Sequence, residues 1–537
     1  MKKLASVTII VFTLIFANFI PSTSFAAPDL TKYAWPPSYT TDNYGQPLLG
    51  YSFTLVDDFN QSNAGQEFSS FGNWQVLPPC ENSNDLVNCI EAVNLINSNG
   101  IKEKLVMEKL IPGNTWPAQT SPRVEAGSSA SRWVSSSLKN PERGFKVTVS
   151  GSLKRFLSGT ELYSAQLSSF QASVEPYEKI DGKYTIPKMY ETSDGKKFLG
   201  TSTPNYCIWV DVDACGVQKE FSQGLQVELV LHLPTEISGW IMGRIDSPKF
   251  TTQSLGASKI TGQSISRVTL SGTPVEVPML STKVDLNNAS SDLNSYYQEI
   301  SWCKQKFPEC SGYFGGLIQG STFDLTYKVF QLFEKSFNNT ANLVVPRWSF
   351  RSLPGLNQSI DRCQRSSQVQ INGIVTTNAS IYQGSPPAFE NDTFIYKVAG
   401  LHLLPNKEVF QGSYDLVLKS EYARCLYGFS TAPIKAAVEV TNADGTNKFV
   451  TTSFTEKDGW MSLSVKGFTF SQPTIKLKLS QEKELPNPSA TSNSTEIAVP
   501  ASSKTLPRIS TITCSKGKTI KKVTGTKPSC PKGYKKK

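Results

Sequence analysis

The sequence predicts a mainly β protein: two tandem, duplicated β-sandwich-like units with short helical segments, followed by a small basic module closed by a disulfide. Three observations indicate this fold. Short alternating or β-branched runs recur along the chain, turn-forming residues bound each run, and the ten cysteines fall mostly in close pairs. With 537 residues, of which 39% are hydrophobic, the chain is long enough to bury several cores.

The N-terminal segment 1–26 has the pattern of a secretory signal peptide. Two lysines precede a long apolar run, and Ser-Phe-Ala at 24–26 forms a small-x-small cleavage site. We expect cleavage after Ala26, which leaves residues 27–50 as an N-terminal extension; an uncleaved anchor helix is the alternative. No later stretch reaches 18 uninterrupted apolar residues, so the sequence predicts a secreted protein without a transmembrane span after signal cleavage.

Strand-like runs dominate the body of the chain. They are 145–153, 225–233, 394–404, 414–420, 435–441 and 474–480. Short strands at this density favour antiparallel sandwiches or barrels over βαβ units. Two segments, 290–310 and 321–339, are instead predicted to be helical, because aromatic residues recur in the second at intervals of three or four, with Ser321 and Thr322 as candidate caps.

An internal repeat predicts the two units. The motif Arg-Trp-x-x-x-Ser-Leu occurs at 132–138 and again at 347–353, and Gly239-Trp240 is matched in the same order by Gly459-Trp460. Residues rich in Pro, Ser, Thr and Asn then form a linker. The predicted boundaries are signal peptide 1–26, extension 27–50, first unit 51–285, second unit 286–480 with a helical segment at 290–340, disordered linker 481–507, and tail module 508–537.

Export favours disulfides for the ten cysteines. Their simplest pairing is Cys80–Cys89, Cys207–Cys215, Cys303–Cys310, Cys363–Cys425 and Cys514–Cys530. Spacing alone does not prove this connectivity, so other pairings stay open. A zinc site is disfavoured, because no pair has Cys-x2-Cys spacing and the chain has only two histidines. The sequence therefore predicts no metal and no cofactor.

The positive charge of the chain belongs to its C-terminal end. Residues 504–537 hold eleven Lys or Arg and no Asp or Glu, so the formal net charge of +10 becomes −1 for the rest of the chain. The body therefore gives no indication of nucleic-acid binding. Closing Cys514 to Cys530 would stabilise the folded tail by roughly 3 kcal/mol in the chain-entropy model.

The two histidines limit the catalytic options. A Ser-His-Asp triad needs a histidine base, but His232 and His402 both lie in apolar strand-like runs, as structural histidines do. Glycoside hydrolysis needs only two carboxylates, and its best candidates are Asp211 and Asp213. On a strand they would share a face, with Cα atoms about 7 Å apart. They also lie between two cysteines, where the tip of a cross-linked hairpin, a solvated face or a calcium-binding loop is an alternative.

The C-terminal segment 512–537, ITCSKGKTIKKVTGTKPSCPKGYKKK, carries a family resemblance. In order and spacing it resembles a C-terminal module that ends many exported actinobacterial proteins of uncharacterised function. The resemblance implies export from an actinobacterium-like cell, and it transfers no activity to the body.

Together these patterns predict a non-enzymatic, exported protein with a binding or structural role at the bacterial envelope. The tail would retain it at an anionic envelope polymer or lipid surface, and the body would bind a glycan or protein ligand. The candidate surface-binding residues are Lys516, Lys518, Lys521, Lys522, Lys527, Lys532, Lys535, Lys536 and Lys537. Three alternatives stay open: a secreted carbohydrate-active hydrolase using Asp211 and Asp213, an adhesin-like sugar-binding protein, and a tail that serves only solubility or sorting.

Overall fold

The structure is a computed structural model. It describes residues 50–55, 74–113, 115–136, 143–158, 161–184, 188–191, 197–200, 207–235, 237, 239–285, 290–295, 323, 327–328, 330–332, 338–353, 363, 371–441, 447–448, 451–470, 474–481, 510–516, 519–525, 529–531 and 533–536.

The described residues are mostly in β-strands. The first strands are β1 (Gly50–Leu55), β2 (Trp74–Val76), β3 (Cys89–Ile96), β4 (Lys102–Lys104), β5 (Val106–Leu110), β6 (Gln119–Thr120), β7 (Arg123–Val124), β8 (Ser131–Val134), β9 (Arg143–Ser158), β10 (Glu161–Leu167), β11 (Gln171–Asp181), β12 (Lys188–Glu191) and β13 (Lys197–Gly200). The next are β14 (Cys207–Val210), β15 (Ala214–Gln218), β16 (Gln226–Pro234), β17 (Gly239–Ala257), β18 (Ser264–Asp285), β19 (Leu343–Arg347), β20 (Ser349–Ser352), β21 (Ile371–Thr377), β22 (Ile381–Tyr382), β23 (Ala388–Glu390), β24 (Thr393–Ala399) and β25 (Gly412–Lys419). After helix α1 (Ser420–Tyr427) come β26 (Ile434–Thr441), β27 (Asn447–Lys448), β28 (Thr451–Lys457), β29 (Trp460–Phe468), β30 (Thr474–Gln481), β31 (Ser510–Lys516), β32 (Thr519–Gly525) and β33 (Lys535–Lys536).

The central sheet contains strands from both predicted units. Its order is β28–β29–β25–β21–β17–β20–β11–β9. Beyond β9 lie β8, β2 and β5, and the β14–β15 hairpin pairs with the end of β11. Strand β20, which follows the predicted boundary at 285, lies between β11 and β17, which precede it. The two predicted units therefore share one sheet, and their duplication stays a prediction.

Two further sheets cover the central sheet. The front sheet has the order β4–β3–β16–β18–β17, and β1 and β19 pair with the second half of β18. The back sheet has the order β22–β24–β30–β26–β27, with β23 also on β24. Strand β17 belongs to two sheets, because its first part pairs with β20 and β21 and its second part with β18.

Successive residues of the central strands point into two different cores. Ile241, Ile374 and Val417 lie in the core against the front sheet, while Trp240 and Val375 lie in the core against the back sheet. This alternation follows from the period of two in a strand. Strand β21 is buried at all seven residues, because both of its faces are covered.

The predicted mainly β, sandwich-like fold is confirmed. Each of the six predicted strand-like runs contains a strand: β9, β16, β24, β25, β26 and β30. Most bounds agree within two residues, but β9 extends to Ser158 rather than 153 and β24 ends at Ala399 rather than 404. Ser420 begins α1 rather than ending β25. A left-handed Gly428 (φ +66°) caps α1 at its C-terminus.

The predicted helices fall only partly on described residues. Residues 291–295 are helical, and so are 323, 327–328 and 330–332. The aromatic spacing is reproduced there, since Tyr327 stacks on both Phe323 and Phe330. The candidate caps Ser321 and Thr322 lie outside the described residues, as does most of 290–340.

The chain divides into two compact units, residues 1–482 and 483–537. The signal peptide 1–26, residues 27–49 of the extension and residues 482–507 of the linker lie outside the described residues. Gly50 and Gln481, predicted as the last residue of the extension and the first of the linker, lie instead in β1 and β30. None of the described helices is long and apolar enough to span a bilayer.

Candidate functional site

The tail module is a three-stranded antiparallel sheet with the order β32–β31–β33. Its strands carry the Thr, Ile and Val residues that favour extended backbone. Cys530 is disulfide bonded, while the side chain of Cys514, its predicted partner, lies outside the described residues. The tail therefore forms a small folded unit with its own hydrogen-bonded sheet.

The register of this sheet brings lysines together. Lys521 and Lys536 lie directly opposite Cys514, one on each neighbouring strand. Lys535 lies opposite Ser515 and Lys522 opposite Thr513, and Lys516 ends β31. Adjacent strands are about 4.8 Å apart, so the backbones of these lysines lie close together. The other candidates, Lys518, Lys527, Lys532 and Lys537, lie outside the described residues.

Asp211 and Asp213 lie at the tip of the β14–β15 hairpin. The expectation of a shared strand face is corrected, because β14 ends at Val210 and β15 begins at Ala214. The Asp211 carboxylate accepts the backbone N–H of Val212 at 2.9 Å, which stabilises the turn. It also pairs with Lys109. Burial raises the pKa of Asp211, but hydrogen bonds from Lys109 and Val212 outweigh this effect and leave the pKa lowered.

Three of the predicted disulfides are present among the described residues: Cys80–Cys89, Cys207–Cys215 and Cys363–Cys425. Cys303 and Cys310 lie outside the described residues. The Cys207–Cys215 bond joins the two strands of the hairpin that carries Asp211 and Asp213. The Cys80–Cys89 bond closes a loop that leads into β3.

Beneath the loop that Cys80–Cys89 closes lies a charged cluster that the sequence did not indicate. His232 on β16 pairs in register with Cys89 on β3 and with Arg267 on β18. The three residues thus form one row across the front sheet. A register shift leaves Glu91 as an extra residue on β3, and such a bulge redirects a side chain. We call His232, Glu91 and Arg267 the histidine cluster.

His232 is completely buried because the loop covers it. The neighbouring Leu231 and Leu233 point into the front core, so His232 points to the opposite face of the front sheet. There its Nδ1 lies 2.7 Å from the carbonyl oxygen of Asp85 and its Nε2 lies 2.9 Å from Glu91 Oε2. Both ring nitrogens are hydrogen bonded, as predicted for a structural histidine.

Hydrogen-bond donors define the charge of the cluster. A carbonyl oxygen only accepts hydrogen bonds, so Nδ1 of His232 donates to Asp85, and an ionised Glu91 accepts a second hydrogen bond from Nε2. Arg267 Nε donates to the same Glu91 oxygen at 2.6 Å, which favours the ionised carboxylate. The cluster therefore holds an imidazolium and a guanidinium around one carboxylate.

Cys80, Cys89 and His232 do not form a zinc site while the two cysteines are disulfide bonded. Sγ of Cys80, Sγ of Cys89 and a His232 ring nitrogen lie within 4.8 Å of one another. Zinc needs thiolates, however, and the two sulfurs are bonded to each other.

A second buried charged site lies where β17 passes from the central to the front sheet. There Ser247 has a left-handed φ of +54° and the register shifts after Asp246. The Ser247 N–H and the Thr376 hydroxyl donate to Asp415 Oδ2 at 3.0 and 3.1 Å. Asp246 pairs with Lys466 at 2.6 Å. Burial, and then the charge of Asp246, raise the pKa of Asp415 to about 6.

Sequence reasoning missed both sites because their members are far apart in the chain. One signal was present for the histidine cluster: in LVLHLP, His232 takes the position that alternates with core leucines. No protein-family model and no curated protein sequence matches this chain.

Proposed function

We propose that the protein is exported and is held at the cell envelope by its C-terminal tail, while the body has a non-enzymatic binding or structural role. The observation that carries the proposal is the tail itself. It belongs to a separate compact unit, its three strands bring lysines together, and residues 504–537 contain no acidic residue.

Disulfides support the export part of the proposal. Three are present among the described residues, and Cys530 of the tail is also disulfide bonded. Disulfides persist in oxidising compartments and are rare in the cytosol. This agrees with the signal-peptide pattern of the N-terminal segment 1–26.

Electrostatics support the retention part. Each lysine near an anionic surface contributes about 1 kcal/mol of attraction, which fades within about 10 Å at 0.1 M salt. Lys535 and Lys536 are exposed at the end of the tail. Lys521 and Lys536 lie in one row across this small sheet, so their contributions combine at one anionic surface. The ligand chemistry is therefore a polyanion, either a wall polymer with repeated phosphates or an acidic lipid surface.

The hydrolase alternative loses its best carboxylate pair. A general acid of a glycosidase needs a raised pKa, but the pKa of Asp211 is lowered. Asp213 is exposed at the hairpin tip. The pair is therefore better suited to stabilising the turn than to donating a proton.

A charge-removal variant of the full mature chain tests the retention proposal. Lys521, Lys522, Lys535 and Lys536 are changed to glutamine, and binding is measured by co-sedimentation. The probes are a poly(glycerol phosphate) polymer, vesicles containing phosphatidylglycerol, and vesicles of zwitterionic lipid alone. We expect a loss of binding on the order of a hundredfold or more, and a similar loss for the unchanged chain in about 0.5 M salt.

The matched control removes the same charge from the body. Lys104, Lys249, Lys259 and Lys457 are exposed there, and their change to glutamine should leave binding within about twofold of the unchanged chain. Equal losses in the two variants would show that net charge, not the tail, governs binding. Binding of the tail variant at full strength would refute retention and leave solubility or sorting as the role of the tail.

A further inference from the structure

The two sulfurs of the Cys80–Cys89 disulfide have different surroundings. Cys89 is completely buried, and its Sγ lies 3.5 Å from Nδ1 of His232. Cys80 is only half-buried. An attacking group from solution therefore reaches Cys80 more easily, while Cys89 sits against the histidine cluster.

The positive charge beside Cys89 favours a thiolate there. Because both of its ring nitrogens donate, His232 is an imidazolium. Glu91 accepts the hydrogen bond from its Nε2, and Arg267 in turn holds Glu91. A neighbouring imidazolium lowers the pKa of a thiol, and a thiol of lower pKa leaves faster in thiol–disulfide exchange. Cys89 is thus the better leaving sulfur, and Cys80 the more accessible one.

From this asymmetry we propose that Cys80–Cys89 is a thiol–disulfide exchange site for small-molecule thiols. The thiolate of the small thiol attacks Sγ of Cys80 and forms a mixed disulfide with it. The Cys80–Cys89 bond breaks at the same time, and its electron pair stays on Cys89 as a thiolate beside His232. A second thiol can then release Cys80, so that two thiols are oxidised to one disulfide and the protein disulfide is reduced by two electrons.

The loop is held in place by contacts other than the disulfide. The carbonyl of Asp85 accepts a hydrogen bond from His232, and that of Ser83 accepts one from Arg267 at 2.7 Å. The backbone N–H of Cys80 donates to Ile90 at 2.9 Å. These bonds keep Cys80 close to Cys89 after the disulfide opens, so the exchange is reversible without unfolding of the loop.

Two other disulfides of the chain provide matched controls. Cys207–Cys215 has a sequence separation of 8, against 9 for Cys80–Cys89, so it controls for loop length. Cys363–Cys425 joins a buried cysteine to a half-buried one, so it controls for access. Cys80–Cys89 differs from both controls in having His232 beside one of its sulfurs, that of Cys89.

The test uses the full mature chain and reduced glutathione, with acid quenching and peptide mapping by mass spectrometry. We expect glutathione on Cys80, and exchange at Cys80–Cys89 about tenfold faster than at either control disulfide. His232→Gln should slow this exchange about tenfold and leave the control disulfides unchanged. Glu91→Gln removes the carboxylate that stabilises the charge of His232 but keeps the shape of the side chain. This variant should also exchange more slowly at Cys80–Cys89.

Several results would overturn the proposal. These are an adduct on Cys89 in place of Cys80, equal rates at all three disulfides, or unchanged exchange in a folded His232→Gln or Glu91→Gln chain. Should neither variant fold, the position of the adduct and the ratio of rates in the unchanged chain still decide the question.

Discussion

His232 and Asp415 are both buried, ionisable residues on strands of the body, but the charges of their neighbours differ. His232 faces the carboxylate of Glu91, which Arg267 also contacts. Asp415 faces a second carboxylate, that of Asp246, which Lys466 contacts from a more exposed position. An opposite charge stabilises the ionised form, whereas a like charge disfavours it. The charged form of His232 is therefore the stable one beside Glu91, whereas the pair Asp415 and Asp246 is more stable when one of the two carboxyls is protonated.

The largest expected effect comes from removing the partner of His232. Glu91→Ala leaves a buried imidazolium without its carboxylate, which costs about 3–5 kcal/mol of the free energy of unfolding. Urea unfolding followed by tryptophan fluorescence measures this change. The control is Glu439→Ala, which breaks an exposed pair with Lys476 and should cost less than about 1 kcal/mol. A similar small cost for both variants would contradict the charged state assigned to His232.

The second prediction concerns pH and Asp415. Its pKa is raised from the usual 3.8 to about 6 in the folded chain, so folding favours the protonated form. Protonated Asp415 therefore raises the free energy of unfolding. This gain is complete below about pH 4 and is lost as the pH rises through about 6. Ionisation at neutral pH therefore costs on the order of 2–3 kcal/mol.

Asp415→Asn removes this cost. The variant should match the unchanged chain near pH 4 and exceed it in free energy of unfolding, by on the order of 2–3 kcal/mol, at pH 8. Unfolding in urea at a series of pH values from 4 to 8 measures the difference. A difference that does not vary with pH would contradict the raised pKa.

A smaller effect is expected at Lys466. Its positive charge lowers the pKa of Asp415, so Lys466→Gln should raise that pKa further and move the loss of stability to higher pH. Because the Lys466 side chain is 45% exposed, the change in free energy of unfolding at pH 7 should stay near 1 kcal/mol. An unchanged pH dependence would show that Lys466 acts on Asp246 alone.

The smallest effect is expected at the hairpin tip. The Lys109 side chain is 47% exposed in its pair with Asp211, and exposed pairs contribute little. Lys109→Ala should therefore lower the free energy of unfolding by about 0.5 kcal/mol or less and raise the pKa of Asp211 toward its usual range. Thermal unfolding and carboxyl titration by NMR measure the two changes. A cost as large as that expected for Glu91→Ala would mean that this exposed pair behaves like a buried one.

The sequence predicted local features of the fold well. The strands β9, β16, β26 and β30 match runs with a period of two or with many β-branched residues, because this pattern depends only on neighbouring positions. The cysteines of the three observed disulfides are mostly close in the chain, so sequence proximity predicted them correctly. The hairpin tip was also an explicit alternative for Asp211 and Asp213.

The two buried charged sites required information that pattern does not contain. Glu91 and His232 are 141 residues apart, and Asp246 and Lys466 are 220 apart. Which residues of two strands lie opposite each other depends on their register, and a shift of one position reverses the faces. The bulges at Glu91 and after Asp246 alter that register locally. No single stretch of sequence could therefore place these charges together.

The position of β20 between β11 and β17 bears on whether the two halves of the body can be encoded separately. A gene cut after β18 would encode a chain in which β11 and β17 lack their shared neighbour, which would leave open edges that recruit other chains. The other fragment would carry β20 without either of its partners. We therefore expect that an exchange of one half of this body for that of another chain would leave unpaired strand edges in both halves.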